Sequence, residues 1–142
     1  SELDSITAMV AEVAAQPQDE VLIVTSVREI YQTMPSKCFT PDFQKVIDGA
    51  DAKSVRDGNE MGYFDYDILT NSQDPGDLRN VEIVNLTGSD GAVVKVTGER
   101  YGNDGFVMVT VRLIDNSYLI DDIEGLDGNS VKQSAQAYIN GK

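Results

Sequence analysis

The sequence contains no histidine and no tryptophan, and its 142 residues include a single cysteine. The missing histidine removes the side chain that most often acts as a general base near neutral pH and most often binds transition metals. With Cys38 alone, no disulfide can form within the chain. A catalytic thiol would need a neighbouring base, so we interpret Cys38 as a buried, unreactive cysteine.

Basic residues are also scarce. Lys and Arg number 11 against 24 Asp and Glu, which gives a net charge of −13. This charge disfavours nucleic acids and anionic membrane surfaces as partners, because both repel it. It permits a basic protein partner, but the favoured interpretation is that the acidity simply keeps the protein in solution. No apolar run approaches the length of a membrane span, so none is predicted.

The last third of the chain contains four apolar, mostly alternating runs. Clusters of Gly, Asn, Asp and Ser separate them, which is typical of antiparallel strands joined by tight turns. The predicted strands cover residues 81–87, 92–98, 106–113 and 117–123. Alternation in the last strand predicts one face formed by Leu119, Asp121 and Ile123. It predicts that the opposite face is formed by Tyr118, Ile120 and Asp122.

Helical spacing of apolar residues predicts two or three helices before this sheet. They cover residues 3–15, about 19–34, and a segment that starts with Thr40 as N-cap and Pro41 in the first turn. How far the last of these continues past Gly49 stays open, and a short final helix is indicated within residues 129–140. We therefore predict one α+β domain over residues 1–142, with amino-terminal helices packed on a four-stranded antiparallel meander.

Residues 60–77 have no regular period and combine aromatic residues with acids and amides. Long loops of this kind either bind partners or pack against the core, and both alternatives stay open. The candidate binding residues in this loop are Tyr63, Asp65, Asp67, Asn71, Gln73 and Asp74. Two more candidates, Tyr118 and Asp122, lie on the last predicted strand.

The spacing of Asp65 and Asp67 was tested against a calcium-binding loop. Thr70 and Gly76 stand where the EF-hand pattern requires Gly and Glu. A looser calcium site that includes Asp74 is the alternative, but the capping of turns is favoured. We therefore predict no metal site and no cofactor.

The sequence contains few residues that could carry out catalysis. Asp121 and Asp122 would point to opposite faces of a regular strand, so they would not form a carboxylate pair. We favour a hydrogen bond from such an aspartate to a loop or to Arg112. An acid–base pair of Asp122 with Tyr118 is the alternative. Nucleotide-binding, zinc and nucleophile motifs are missing from the sequence, and we predict no enzyme activity.

Two segments carry a family resemblance. Residues 62–74 (GYFDYDILTNSQD) are similar to an Asp-x-Asp-Pro-Phe…Asn-x-Gln-Asp motif, with Ile68 and Leu69 in place of Pro-Phe. Residues 118–123 (YLIDDI) are similar to a Trp-x-Ile-Asp-Asp-Ile strand, with Tyr118 in place of Trp. Both motifs belong to a bacterial family known as domain of unknown function 3828, which the chain also resembles in the order of its elements.

The resemblance implies a cystatin-like or nuclear-transport-factor-like cone, in which a curved antiparallel sheet wraps around helices. It also implies an extracytoplasmic bacterial protein, periplasmic or lipid-anchored, whose leader is absent from this chain. By analogy with similar small proteins, we expect a non-enzymatic protein-binding module, such as an inhibitor or immunity protein that blocks a basic partner enzyme. The alternative is a carrier of a small apolar ligand, with a pocket lined by Met108, Tyr118, Ile120 and residues of the second predicted helix.

Overall fold

The computed structural model describes residues 18–60, 62–64, 67–69, 78–98 and 105–141. Its elements are α1 (Glu20–Thr33), α2 (Pro41–Arg56), β1 (Leu78–Thr87), β2 (Gly91–Gly98), β3 (Phe106–Ile114), β4 (Ser117–Glu124) and α3 (Val131–Ile139). Helices pack on a four-stranded antiparallel sheet of order β1-β2-β3-β4, which confirms the predicted α+β class. The helix predicted over residues 3–15 lies outside the described residues.

Each described helix begins at a side chain that accepts a hydrogen bond from the backbone N–H three residues further on. Asp19 has this role for α1, Thr40 for α2 and Ser130 for α3. Such caps satisfy amide groups that the first helical turn leaves without partners. The caps explain why the predicted helix starts are correct, whereas α2 continues without interruption to Arg56.

The core lies between the inner face of the sheet and the helices. Alternate residues of the two central strands are fully buried: Val94, Val96, Val107, Val109 and Val111. Facing them are residues of α1 and α2: Ile23, Val27, Ile30, Tyr31, Phe43 and Ile47. Burying one such side chain contributes about 1.5–3 kcal/mol, against about 0–1 kcal/mol for an exposed ion pair. Apolar packing therefore contributes more to stability than the surface charges.

No described helix combines the length and the apolar character needed to cross a membrane.

Strand β4 contains a bulge at its centre. Thr110 and Val111, which are adjacent on β3, pair with Asp122 and Ile120, so that Asp121 is an extra residue in β4. A bulge of this kind interrupts the alternation of the two faces.

Because of the bulge, Ile123 is fully buried on the same side as Tyr118 and Ile120. The prediction that Ile123 faces away from Ile120 is therefore wrong, since strict alternation does not allow for an inserted residue. The outer edge of β4 is covered by residues 38–40. There the backbone of Ile120 bonds to the carbonyl of Cys38 and the N–H of Thr40, both at 2.8 Å.

The two aspartates at the bulge fasten helices to the sheet. The Asp121 carboxylate accepts hydrogen bonds from the Thr40 hydroxyl at 2.7 Å and from Lys132 Nζ at 3.1 Å. The Asp122 carboxylate accepts from the Ser130 hydroxyl and, at 3.0 Å, from the backbone N–H of Lys132. Since Thr40 and Ser130 are N-caps, the bulge holds the first turns of both α2 and α3.

These contacts also correct the expected orientation of the pair. Both carboxylates reach Lys132, one at its side chain and one at its backbone, so the prediction that Asp121 and Asp122 point to opposite faces is wrong. The favoured interpretation, a hydrogen bond to a loop, is confirmed for Asp122. The ion pair of Arg112 is with Asp90, whose Oδ2 lies 3.8 Å from Arg112 Nη2.

We expect Asp121→Asn to lower the free energy of unfolding by about 2 kcal/mol, because hydrogen bonds to a charged group contribute about 1.5–3 kcal/mol. Urea denaturation measures this loss. Glu29→Gln removes an exposed charge from the middle of α1 and should change stability by less than about 0.5 kcal/mol. Equal effects of the two variants would contradict the assigned role of Asp121.

The same variant has a defined dependence on pH. Burial raises the pKa of Asp121, but the hydrogen bonds from Thr40 and Lys132, together with the positive charges of Lys132 and Arg112, outweigh burial and hold the pKa below its usual value of 3.8. The ionised Asp121 carboxylate therefore stabilises the fold fully at pH values above the ordinary pKa of 3.8. This contribution is lost as the pH falls through the pKa of the group in the folded state, which is lower. The stability difference between wild type and variant should shrink in that acidic range, and a constant difference would contradict the electrostatic cause.

Candidate functional site

An open cleft of about 620 Å³ lies where the carboxyl ends of α2 and α3 meet the start of the predicted binding loop. Its lining is mainly polar and aromatic: Ser54, Gly58, Asn59, Glu60, Gly62, Tyr63 and Tyr138. We name it the tyrosine cleft. It contains the predicted binding residue Tyr63 and is the main candidate site.

Asp51 of α2 determines the path of the loop beside this cleft. Its Oδ1 accepts hydrogen bonds from the backbone N–H groups of Tyr63 at 2.9 Å and Phe64 at 3.4 Å. Gly62 has a φ of +80°, and a Cβ placed there would lie 2.8 Å from the same oxygen. Only glycine combines this conformation with so close an approach. The carboxylate and the glycine together fix the position of Tyr63.

The two tyrosine rings form one wall of the cleft. The rings of Tyr63 and Tyr138 stack with their centroids 4.8 Å apart and an interplanar angle of 25°. Lys53 Nζ lies 4.1 Å from the centroid of the Tyr138 ring. Asp57 Oδ2 accepts from the Tyr138 hydroxyl at 2.8 Å and from Lys53 Nζ at 3.1 Å, and these bonds lower the pKa of Asp57. The rings are thus held by contacts on several sides.

Other lining residues of the cleft offer hydrogen-bond acceptors. The Asn59 side-chain amide donates to the hydroxyl of Ser54 at 3.0 Å, and Ser54 is almost fully buried. The exposed carboxylate of Glu60 forms neither a hydrogen bond nor an ion pair with another residue in the described part of the chain. Within the described part of the chain, the cleft therefore presents one negative charge that no cation pairs with.

A second cleft, of about 330 Å³, lies between the end of α1 and residues 67–69. Its lining is mostly apolar and includes Met34, Cys38, Phe39, Phe64, Ile68 and Leu69, with Asp67 at its edge. We name it the Cys38 cleft. The hydroxyl of Tyr31 donates to the backbone carbonyl of Leu69 at 2.6 Å, which attaches this part of the loop to α1.

Cys38 itself is only 2 % exposed, which confirms the predicted buried cysteine. Burial, and then the negative charge of Asp67, raises the pKa of the thiol to about 11. A thiol reacts as the thiolate, so the group is protonated and unreactive at neutral pH.

The two candidate residues on β4 form hydrogen bonds within the fold. Tyr118 is 5 % exposed, and its hydroxyl donates to Gln18 Oε1 at 3.0 Å. Burial, with the negative charges of Asp19 and Asp90, raises the pKa of Tyr118. Asp122 is bonded to the first turn of α3. The two groups thus have separate structural partners, and neither lines the tyrosine cleft or the Cys38 cleft.

The eight predicted binding residues therefore fall into three sets. Tyr63 lines the tyrosine cleft, and Asp67 borders the Cys38 cleft. Tyr118 and Asp122 bond within the fold. The remaining four lie outside the described residues: Asp65, Asn71, Gln73 and Asp74. Among the described residues, no cluster of three or more His, Cys, Asp or Glu could hold a metal ion.

Sequence reasoning missed Tyr138 and the charge of Glu60. Tyr138 appears in the sequence only as part of a weak apolar stripe on the final helix, and nothing there indicates its contact with Tyr63. The residues predicted to line the carrier pocket lie on opposite faces of the sheet. Ile120 is fully buried on the inner face, whereas Met108 alternates with the buried Val107 and Val109 and lies on the outer face.

No model of a protein family matches this chain, and no curated protein or solved structure matches it. The resemblance to domain of unknown function 3828 therefore stays a prediction, as does the cystatin-like cone.

We expect a thiol reagent to modify Cys38 much more slowly in the native protein than in urea, because the folded thiol is both buried and protonated. With a reagent that releases a coloured thiolate when it reacts, the increase in absorbance measures the rate of modification. Unfolded protein should release one equivalent per chain, and Cys38→Ser should release none. Equal rates in the native and unfolded states would contradict the burial of this side chain.

Proposed function

We propose that this protein is a non-enzymatic binding module that acts outside the bacterial cytoplasm and blocks a basic partner enzyme, as an inhibitor or immunity protein does. The observation that carries the proposal is the net charge of −13 on a chain without histidine. Charge of one sign on a surface attracts a partner of the opposite sign and accelerates encounter.

The placement of the carboxylates supports this proposal. Many are exposed and lie on different elements, including Glu20, Glu29, Asp42, Glu60, Glu124 and Asp127. The ion pairs among the described residues join Lys53 to Asp57, Arg112 to Asp90 and Lys132 to Asp121. These six exposed carboxylates are in none of those ion pairs, so they are available to a basic partner.

The chemistry of the remaining candidate groups favours binding over catalysis. The thiol of Cys38 is buried with a raised pKa. The carboxylates of Asp121 and Asp122 accept hydrogen bonds that hold helix starts. An enzyme would need a reactive group that is both accessible and activated. The tyrosine cleft instead offers aromatic and polar contact surface of the kind that interfaces use.

Affinity purification of the tagged protein from extracts of its own organism tests this function. We expect one basic enzyme to be recovered at low salt and lost at moderate salt, because screening weakens attraction between exposed charges. The purified chain should then inhibit that enzyme.

An unrelated protein of similar size and net charge serves as control bait. It should not recover the same enzyme. Failure to recover any protein partner, with the tagged chain running alone at low salt, would contradict the proposal.

A second candidate function is the carrier of a small apolar ligand, and the Cys38 cleft is the observation that favours it. This cleft has a mostly apolar lining and a volume of about 330 Å³, which suits a small molecule. Native mass spectrometry should then show a mass above that of the 15.5 kDa chain, and the excess should disappear on denaturation. Ile68→Asp should abolish the excess, and a native mass equal to that of the chain would contradict this function.

A further inference from the structure

We propose that the tyrosine cleft receives one arginine side chain of the protein partner, with Glu60 as its counter-charge. This inference rests on the proposed function and specifies which residue type the partner inserts.

The local charge identifies a single cation as the occupant. Asp57 is already paired with Lys53 at 3.1 Å and accepts from the Tyr138 hydroxyl. Glu60, in contrast, has no partner within the described residues. One unbalanced carboxylate in a cleft complements one positive charge, and the net charge of −13 adds a favourable long-range field.

The lining of the cleft favours arginine over lysine. The stacked rings of Tyr63 and Tyr138 offer an apolar wall against which the methylene stem of a long side chain can pack. Glu60 can accept two parallel hydrogen bonds from a planar guanidinium. Since Asn59 Nδ2 donates to the Ser54 hydroxyl, the side-chain Oδ1 of Asn59 is a further acceptor. Lysine is a compact, strongly hydrated charge that matches such a set less well.

The cleft is also organised before any partner arrives. Asp51 holds the backbone of Tyr63 and Phe64, and the contacts of Asp57 and Lys53 hold Tyr138. A side chain that enters therefore meets walls that need no ordering, which reduces the entropic cost of binding.

The test is a titration of the ¹⁵N-labelled full chain with N-acetylarginine amide, followed by NMR. We expect shifts that saturate at the backbone amides of Asn59, Gly62 and Tyr63. N-acetyllysine amide should bind clearly more weakly. Glu60→Gln should weaken the binding of the arginine probe by about threefold to fivefold, because one exposed charged contact is lost.

Glu29→Gln is the matched control, since it removes the same charge from an exposed site on α1. It should leave the affinity for the arginine probe unchanged. Equal effects of the two variants, shifts spread over all acidic surfaces, or equal binding of the lysine probe would each overturn the inference.

The two proposals fail in different ways. If a partner enzyme is captured and Glu60→Gln binds it as tightly as wild type, the arginine site is wrong and the proposed function stands. If no partner is captured but the arginine probe binds through Glu60, the proposed function is wrong and the site stands.

Discussion

The arrangement of the helices depends on the two carboxylates at the bulge of β4. Asp121 binds the N-cap of α2 and Asp122 binds the N-cap of α3, so both helices start from one point on the sheet. Their lengths of 16 and 9 residues then determine where their carboxyl ends meet. Gly49, where a Cβ would lie 3.1 Å from Ile139, allows the close approach that brings Tyr138 to Asp57. The tyrosine cleft is therefore a consequence of a constraint at the opposite ends of the same helices.

The sequence allowed the elements to be predicted but not this constraint. Caps and apolar spacing predicted the starts of α1 and α2, and alternation predicted four strands, because these are local properties. The bulge has no such signal, since the run YLIDDI contains neither glycine nor another interruption. An inserted residue becomes evident only through pairing with β3, where Thr110 and Val111 oppose Asp122 and Ile120. This is why Ile123 was assigned to the wrong face.

The candidate site, like the fold, could be predicted only in part from the sequence. The mixture of aromatic and polar residues in the loop indicated Tyr63, which does line a cleft. The role of Tyr138 could not be predicted from the sequence, because its hydroxyl bonds to Asp57, which lies 81 positions earlier in the chain. Tyr118 and Asp122 are a different case. A polar group on a strand is visible in the sequence, but the partner that satisfies it is not, and here Gln18, Ser130 and Lys132 are those partners.

The acidity of the chain therefore has two separate physical roles. At the bulge, where Asp121 is half-buried, a carboxylate needs its hydrogen bonds, because a charge partly removed from water without partners is destabilising. Glu60 and the other exposed acids contribute little to folding, yet they set the field that a partner meets. Such a field acts mainly on the rate of association and is screened by salt. A pairing inside the tyrosine cleft would act on the lifetime of the complex, since it is a short-ranged contact that forms only once the partner is in place. Affinity in this protein would then combine a diffuse attraction with one local contact.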